Sequence, residues 1–279
     1  MRVVTFRHAG KVRVGVADET HIVDLSARGL PYASVRAAIA AGHLVTLERH
    51  ARGVTPDFRL DEVEFLPPVP DPEKILCVGL NYATHVGEMD RALPREPSLF
   101  SRLHNTLLGH GAALIRPRAS TQFDFEGELA VVIGRTCRAV TPEPALEMVA
   151  GYCCFLDGSV RDYQKHSVTA GKNFPATAPV GPWLVPAEEI GDPQKLRLTT
   201  RLNGVVVQDD TTDHMIFDVA AIIAYVSTVT WLEPGDIIAT GTPAGVGHGR
   251  KPPLWMKAGD RVEVEISGIG TLANHVVDE

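Results

Sequence analysis

The chain has 279 residues, of which 44% are hydrophobic, enough to bury a large core and leaving little room for long disorder. Its formal charge is −7 with a pI of about 5.9, and its basic residues are scattered without a Lys/Arg run, which argues against nucleic acid or an anionic membrane as partner and for a small molecule. The four cysteines, Cys77, Cys137, Cys153 and Cys154, lack metal-ligand spacing and read as buried thiols of a reducing compartment.

Short strand-like runs, Val3 to Phe6, Val12 to Val16 and His21 to Leu25, come first, followed by a helical stretch from about Tyr32 to Arg49. Leu66-Pro67-Pro68-Val69-Pro70-Asp71-Pro72 excludes regular structure and reads as a stiff linker, dividing a small N-terminal domain, residues 1–70, from a larger one, residues 71–279. Lys74 to Val78 then reads as a strand running into Gly79-Leu80-Asn81-Tyr82, Leu129 to Ile133 as a buried strand stopped by Gly134, and Thr141 with Pro142 as a helix start. Gly151 to Leu156 is a second apolar run in which Cys153 and Cys154 face opposite sides.

Leu196 to Leu202 alternates apolar and polar, and Asn203-Gly204 before Val205-Val206-Val207 marks a hairpin. Phe217 to Trp231 is apolar nearly all round and predicts a buried helix, too short and too polar to span a bilayer. Pro234-Gly235-Asp236 turns the chain into Ile237 to Thr240, and Val262 to Ile266 alternates as a half-exposed strand. With no signal-like apolar region in Met1 to His8, the expected location is cytoplasmic. Many strands, few helices and no βαβ rhythm favour an α+β, mainly β roll over a doubly wound sheet.

The chemistry concentrates at strand ends. In Asp124-Phe125-Glu126-Gly127-Glu128, the two glutamates lie on one face of a strand. Like charges beside a buried strand repel and lose hydration unless they are protonated or neutralised by a cation. Asp157, ending the second apolar run, offers a third oxygen ligand, and an all-oxygen set suits Mg²⁺, Mn²⁺ or Ca²⁺ better than zinc. A solvent-facing strand end with Lys or Arg partners is the alternative. His85 and Glu88, three apart, share a helical face, so that a carboxylate can fix the imidazole as a general base; a surface pair without a role fits equally. Gly79 and Gly87 flank them as in a mobile lid.

Lys172, in a Gly- and Pro-rich stretch, can neutralise a substrate carboxylate or enolate, or lie exposed on a loop. Arg161 and Gln164 can hold substrate oxygens, Arg161 in bidentate fashion or instead in a structural pair with Asp162. Thr240-Gly241-Thr242-Pro243 is a tight turn whose hydroxyls and N–H groups, Thr242 included, can accept a carboxylate. His104, His110, His166, His214, His248 and His275 show no ligand spacing and receive no role.

Taken together, these segments resemble the fumarylacetoacetate hydrolase family. The matching pieces are Lys74 to Tyr82 with His85 and Glu88, Phe125 to Gly134, Asp157 with Arg161-Asp162-Tyr163-Gln164, Gly171-Lys172, Gly181-Pro182-Trp183, and Leu232 to Pro243, in family order. The resemblance implies a mixed β-roll catalytic domain, usually homodimeric, with Mg²⁺ or Mn²⁺ on Glu126, Glu128 and Asp157, a His85/Glu88 dyad on a lid, and a pocket lysine at Lys172. It implies 2-keto or 2,4-diketo acid substrates. The leading expectation is hydrolytic C–C cleavage of an acylpyruvate by His/Glu-activated water, with decarboxylation of oxaloacetate-like acids or isomerisation of 2-hydroxy-diene-dioates as alternatives, and a non-catalytic binding protein as the rival from another class. The chain departs from the pattern at Phe100-Ser101-Arg102-Leu103, where lysine is usual at the third position, at Leu156, where asparagine is usual, and at Pro175-Ala176-Thr177, in place of Asp-Thr-Phe. These changes spare the proposed ligands and dyad and suggest an altered pocket or substrate preference.

Overall fold

The computed structural model describes residues 1–279. The fold is α+β and mainly β, built on mixed sheets. The largest sheet has twelve strands. Its middle is the antiparallel trio Ala178–Pro186, Val149–Leu156 and Gly127–Ile133, continued by Ile237–Ala239, Ile75–Gly79 and Ser98–Ser101. Ile237–Ala239 pairs with Gly127–Ile133 antiparallel and with Ile75–Gly79 parallel.

Alternation along the central strands divides the interior into two apolar layers. Leu129, Val131, Ile133 and Cys154 enter one; Ala130, Val132, Cys153 and Phe155 enter the other. The adjacent cysteines therefore do face opposite sides, and all four are free and buried. A second sheet, Val205–Thr211, Arg197–Leu202, Arg261–Ile266, Gly270–Asp278 and Ala113–Arg116, supplies Leu198, Val262, Val264 and Leu272 to the first layer. Its hairpin turns at Asn203-Gly204, both with positive φ (52° and 79°), as the Asn-Gly pair requires.

The N-terminal meander, Arg2–His8, Lys11–Ala17 and His21–Asp24, joins the large sheet through Val3 opposite Leu184. Pro67, Pro68 and Val69 have no regular structure, yet they are buried, and Thr5 Oγ1 donates to Pro68 O at 2.7 Å. The middle of the stiff segment is thus packed down against the fold.

Two expectations are corrected. The helical stretch after residue 32 is two helices, Val35–Ala40 and Thr46–Ala51, because the chain reverses at Gly42 with φ 69°. The apolar helix is Val219–Val229 and is half-buried: Val219, Ile222, Ile223 and Val226 form one packed stripe, while Val229 stays 61% exposed.

Asp236 registers the parallel pair. Its carboxylate, fully buried, accepts from the N–H groups of Lys74 (2.9 Å) and Glu233 (2.8 Å), one on each side of the junction. Asp236→Ala strands both donors and should lower unfolding stability by about 2–4 kcal/mol. Urea denaturation followed by tryptophan fluorescence measures this, and a loss under about 0.5 kcal/mol, the range of ordinary surface changes, would contradict the assigned role.

Candidate metal and acid-base site

Glu126, Glu128 and Asp157 converge. One carboxylate oxygen from each lies within 4.8 Å of the others, and all three residues are buried. The sheet accounts for the meeting, since Glu128 sits opposite Phe155 and Gly127 opposite Leu156, bringing both strand ends to one place. Asp157 N–H also donates to Glu126 O at 2.8 Å.

Three buried cations surround these acids. Lys172 Nζ donates to Glu126 Oε2, to Asp157 Oδ2 and, at 2.6 Å, to Ser159 Oγ. Arg161 donates from Nη2 to Glu126 Oε1 (2.6 Å), from Nε to Asp124 Oδ2 (2.8 Å) and from Nη1 to Gln164 Oε1 (2.9 Å). Arg102 pairs with Asp157 Oδ1. With Asp124 included, four buried carboxylates face three buried cations.

The imbalance falls on Glu128. Its Oε2 accepts the Gly241 N–H at 2.9 Å, and no lysine or arginine reaches it. Burial and the charges of Asp157 and Glu126 push its carboxyl well above the ordinary value. Burial acts the same way on Glu126, but Arg161, Lys172 and His85 outweigh it and hold that carboxyl far below. A divalent cation beside Glu128 supplies the missing charge, so the donor set fits an oxygen-liganded ion.

His85 and Glu88 lie on the helix Ala83–Glu88. His85 is 4% exposed, with Nδ1 3.2 Å from Glu88 Oε2 and Nε2 3.9 Å from Glu126 Oε1. A carboxylate only accepts, so Nδ1 turns an N–H toward Glu88, and Nε2 faces the acid cluster. Glu88 is itself held by Gly245 N–H at 3.0 and 3.2 Å.

A cavity of about 350 Å³ opens over these groups, and Glu126, Glu128, Asp157, His85 and Lys172 all line it. Arg161, Gln164 and Thr242 line it too. Arg161 departs from the open bidentate fork expected of it, because each guanidinium nitrogen serves a protein acceptor; nor does it pair with Asp162, which takes Ser120 Oγ at 2.6 Å. The Thr242 hydroxyl is engaged as well, donating to Gly127 O (2.8 Å) and accepting from Gln208 (2.7 Å). Gln164 keeps its amide nitrogen free of protein partners.

Three participants escaped the sequence reading. Asp124 binds Arg161 and accepts the N–H groups of Gly247 (2.7 Å) and His248 (2.9 Å), tying a loop to the cluster; its place two residues before Glu126 was the available signal. His248 lines the cavity and stacks on Trp255, with ring centroids 5.8 Å apart. Arg102 does not line the cavity at all, and neither do Leu156, Pro175, Ala176 and Thr177. Leu156 points into the apolar layer opposite Asp157's partners, and Thr177 Oγ1 accepts from Arg102 at 2.7 Å. The departures at 102 and 177 therefore meet each other beside Asp157 and are not part of the cavity lining.

Comparison with known proteins bears on the same segments. The family described as fumarylacetoacetate (FAA) hydrolase, C-terminal, matches residues 74–277. Human mitochondrial oxaloacetate tautomerase FAHD2A is 41% identical over 220 residues, covering 77% of this chain and 70% of that protein. Among solved structures, a fumarylacetoacetate hydrolase from Exiguobacterium antarcticum superposes with TM-score 0.86 at 38% identity, covering 100% of both chains. Maleylpyruvate hydrolase from Sphingobium sp. SYK-6, in complex with manganese(II) and pyruvate, gives 0.84 at 31% identity, covering 100% of this chain and 99% of that one. Strand ends that gather three carboxylates beside a histidine–glutamate pair, and a family match over most of the length, together establish that this chain belongs to the fumarylacetoacetate hydrolase family of enzymes.

Proposed function

We propose that this chain is a divalent-cation-dependent enzyme that interconverts the keto and enol forms of a 2-oxo acid of the oxaloacetate type. The observation that carries the reading is the position of His85: its imidazole, oriented by Glu88, aims Nε2 at the acid cluster from 3.9 Å. A base beside the acids that would hold a keto acid's oxygens is suited to removing a proton from the adjacent carbon, which is the step of enolisation. The 41% identity to an oxaloacetate tautomerase supports the same chemistry.

Glu126, Glu128 and Asp157 would hold Mg²⁺ or Mn²⁺, which when bound supplies positive charge that stabilises an enolate. His85 Nε2 takes the proton from the substrate carbon, the resulting imidazolium pairs with Glu88, and delivery of that proton to the enolate oxygen gives the enol, the reverse sequence giving the keto acid. Gln164 offers its free amide nitrogen to a substrate oxygen, and Lys172 adds a buried ammonium beside the developing charge. Arg161 and Thr242 act on this reading by holding Glu126 and the Gly127 end of its strand in place.

Hydrolytic cleavage of an acylpyruvate is the second reading. The full-length likeness to a hydrolase structure holding manganese and pyruvate favours it, and in that case His85 takes its proton from water. A panel of oxaloacetate, acetylpyruvate and a fumarylpyruvate-type acid, with metal-stripped and Mn²⁺-loaded protein, separates the outcomes. Metal-dependent loss of the ultraviolet absorption of oxaloacetate enol is expected; release of pyruvate with a matching carboxylic acid would establish the hydrolase, and CO₂ the decarboxylase.

His85→Ala should slow the metal-dependent reaction on the order of a hundredfold or more, and a near-normal rate in stopped-flow assays would defeat the base assignment. Gly249→Ala tests Glu88 without touching it. A Cβ at Gly249 would lie 2.4 Å from Glu88 Cδ, displacing the carboxylate from His85 and from Gly245 N–H. The variant should fold normally by circular dichroism and lose roughly ten- to a hundredfold in kcat, the usual cost of an orienting partner.

A further inference from the structure

We infer that Arg102, seated on Thr177, is a positioning residue that restricts Asp157 to one-oxygen ligation and so biases the site toward six-coordinate Mg²⁺ or Mn²⁺ and against Ca²⁺; the inference rests on the cation site proposed above.

Each of the three acids has one oxygen already held by the protein. Glu126 Oε1 takes Arg161 Nη2 at 2.6 Å, Glu128 Oε2 takes Gly241 N–H at 2.9 Å, and Asp157 Oδ1 takes Arg102 Nη1. The oxygens left for a cation are Glu126 Oε2, Asp157 Oδ2 and Glu128 Oε1, the first two now bonded to the Lys172 ammonium. Lysine is a point charge on a flexible stem and can give up contacts singly. Arg102 cannot. Its side chain is fully buried, Nη1 also serves Gly158 O (3.2 Å), Nη2 serves Thr177 Oγ1 (2.7 Å), and Thr177 is pinned in turn by donating to Phe174 O (2.6 Å).

A bidentate carboxylate gives both oxygens to one ion. Asp157 could do so only by placing the guanidinium and a divalent cation on the same Oδ1 atom, which Coulomb repulsion in a buried site opposes. Three one-oxygen ligands leave half of an octahedron for substrate oxygens and water, the arrangement Mg²⁺ and Mn²⁺ accept. Ca²⁺ prefers six to eight oxygens and readily uses bidentate carboxylates. Because Arg102 is sealed behind Asp157 and away from the cavity, its effect reaches the reaction only through that side chain.

The test is competition of Ca²⁺ against Mn²⁺, with free Mn²⁺ followed by electron paramagnetic resonance, in the wild type, Arg102→Gln, Arg102→Lys and Thr177→Val. Loss of a positive charge strengthens binding of both divalent ions alike, so the ratio of their affinities isolates geometry from charge. The wild type should favour Mn²⁺; Arg102→Gln and Arg102→Lys should narrow the ratio about tenfold, and Thr177→Val by a smaller factor in the same direction. Thr177→Val removes one hydroxyl and keeps the charge, so it reports even where the arginine variants fold poorly. An unchanged ratio in the folded variants, or a wild type that binds Ca²⁺ as tightly as Mn²⁺, overturns the inference. A wild type that binds neither ion overturns the cation-site reading and this inference with it.

Discussion

Four carboxylates, Asp124, Glu126, Glu128 and Asp157, are buried within one small region, and the rest of the site is organised by what that burial demands. An unpaired charge removed from water costs several kcal/mol even after relaxation. Arg102, Arg161 and Lys172 answer that cost, and burial of their own charges is offset by the same contacts; burial by itself lowers the Lys172 ammonium, but Asp157 and Glu126 leave it above its ordinary value. The one acid without a cationic side chain, Glu128, marks where an ion of higher charge belongs.

The sheet makes this concentration of charge buildable. Central strands with apolar residues on both faces are rigid, and their ends can present charged groups at fixed separations. The remaining backbone donors come from one loop: Gly241 donates to Glu128, Gly245 to Glu88, Gly247 and His248 to Asp124. One loop, residues 241–248, thus touches the clustered acids, the His85–Glu88 pair and the latch on Arg161, so these groups share a single backbone support. Substitution there should be felt by all of them together.

Strands and acids were legible in the sequence for physical reasons. Alternation and β-branched runs specify a strand locally, and a carboxylate at the end of such a run is conspicuous because it is costly. The hairpin at Asn203-Gly204 was legible because few residue pairs tolerate two positive φ values. Long-range partnership was hidden. Nothing local to Arg102 tells that it meets Asp157, 55 residues away, or that Thr177 supplies the acceptor for its other nitrogen. Arg161 misled for a related reason: a guanidinium reads as a substrate fork until its protein acceptors are seen. The half-exposed face of Val219–Val229 escaped because alanine and valine are apolar wherever they lie and so do not mark which side of a helix meets solvent.

The join between Arg2–His8 and Ala178–Pro186 carries a consequence for the leading segment. The strand Ala178–Pro186 continues from the stretch bearing Lys172 and pairs with Val149–Leu156, which leads to Asp157. Its outer edge is covered at one end by Leu107–Leu108 and further along by the first strand through Val3; without the latter, that part of the edge would leave backbone groups unpaired beside the strands that carry the acids, a template for association with another chain. In this chain the leading strand helps to shield that edge, so the segment before residue 70 serves the large sheet as a cover as well as carrying its own meander.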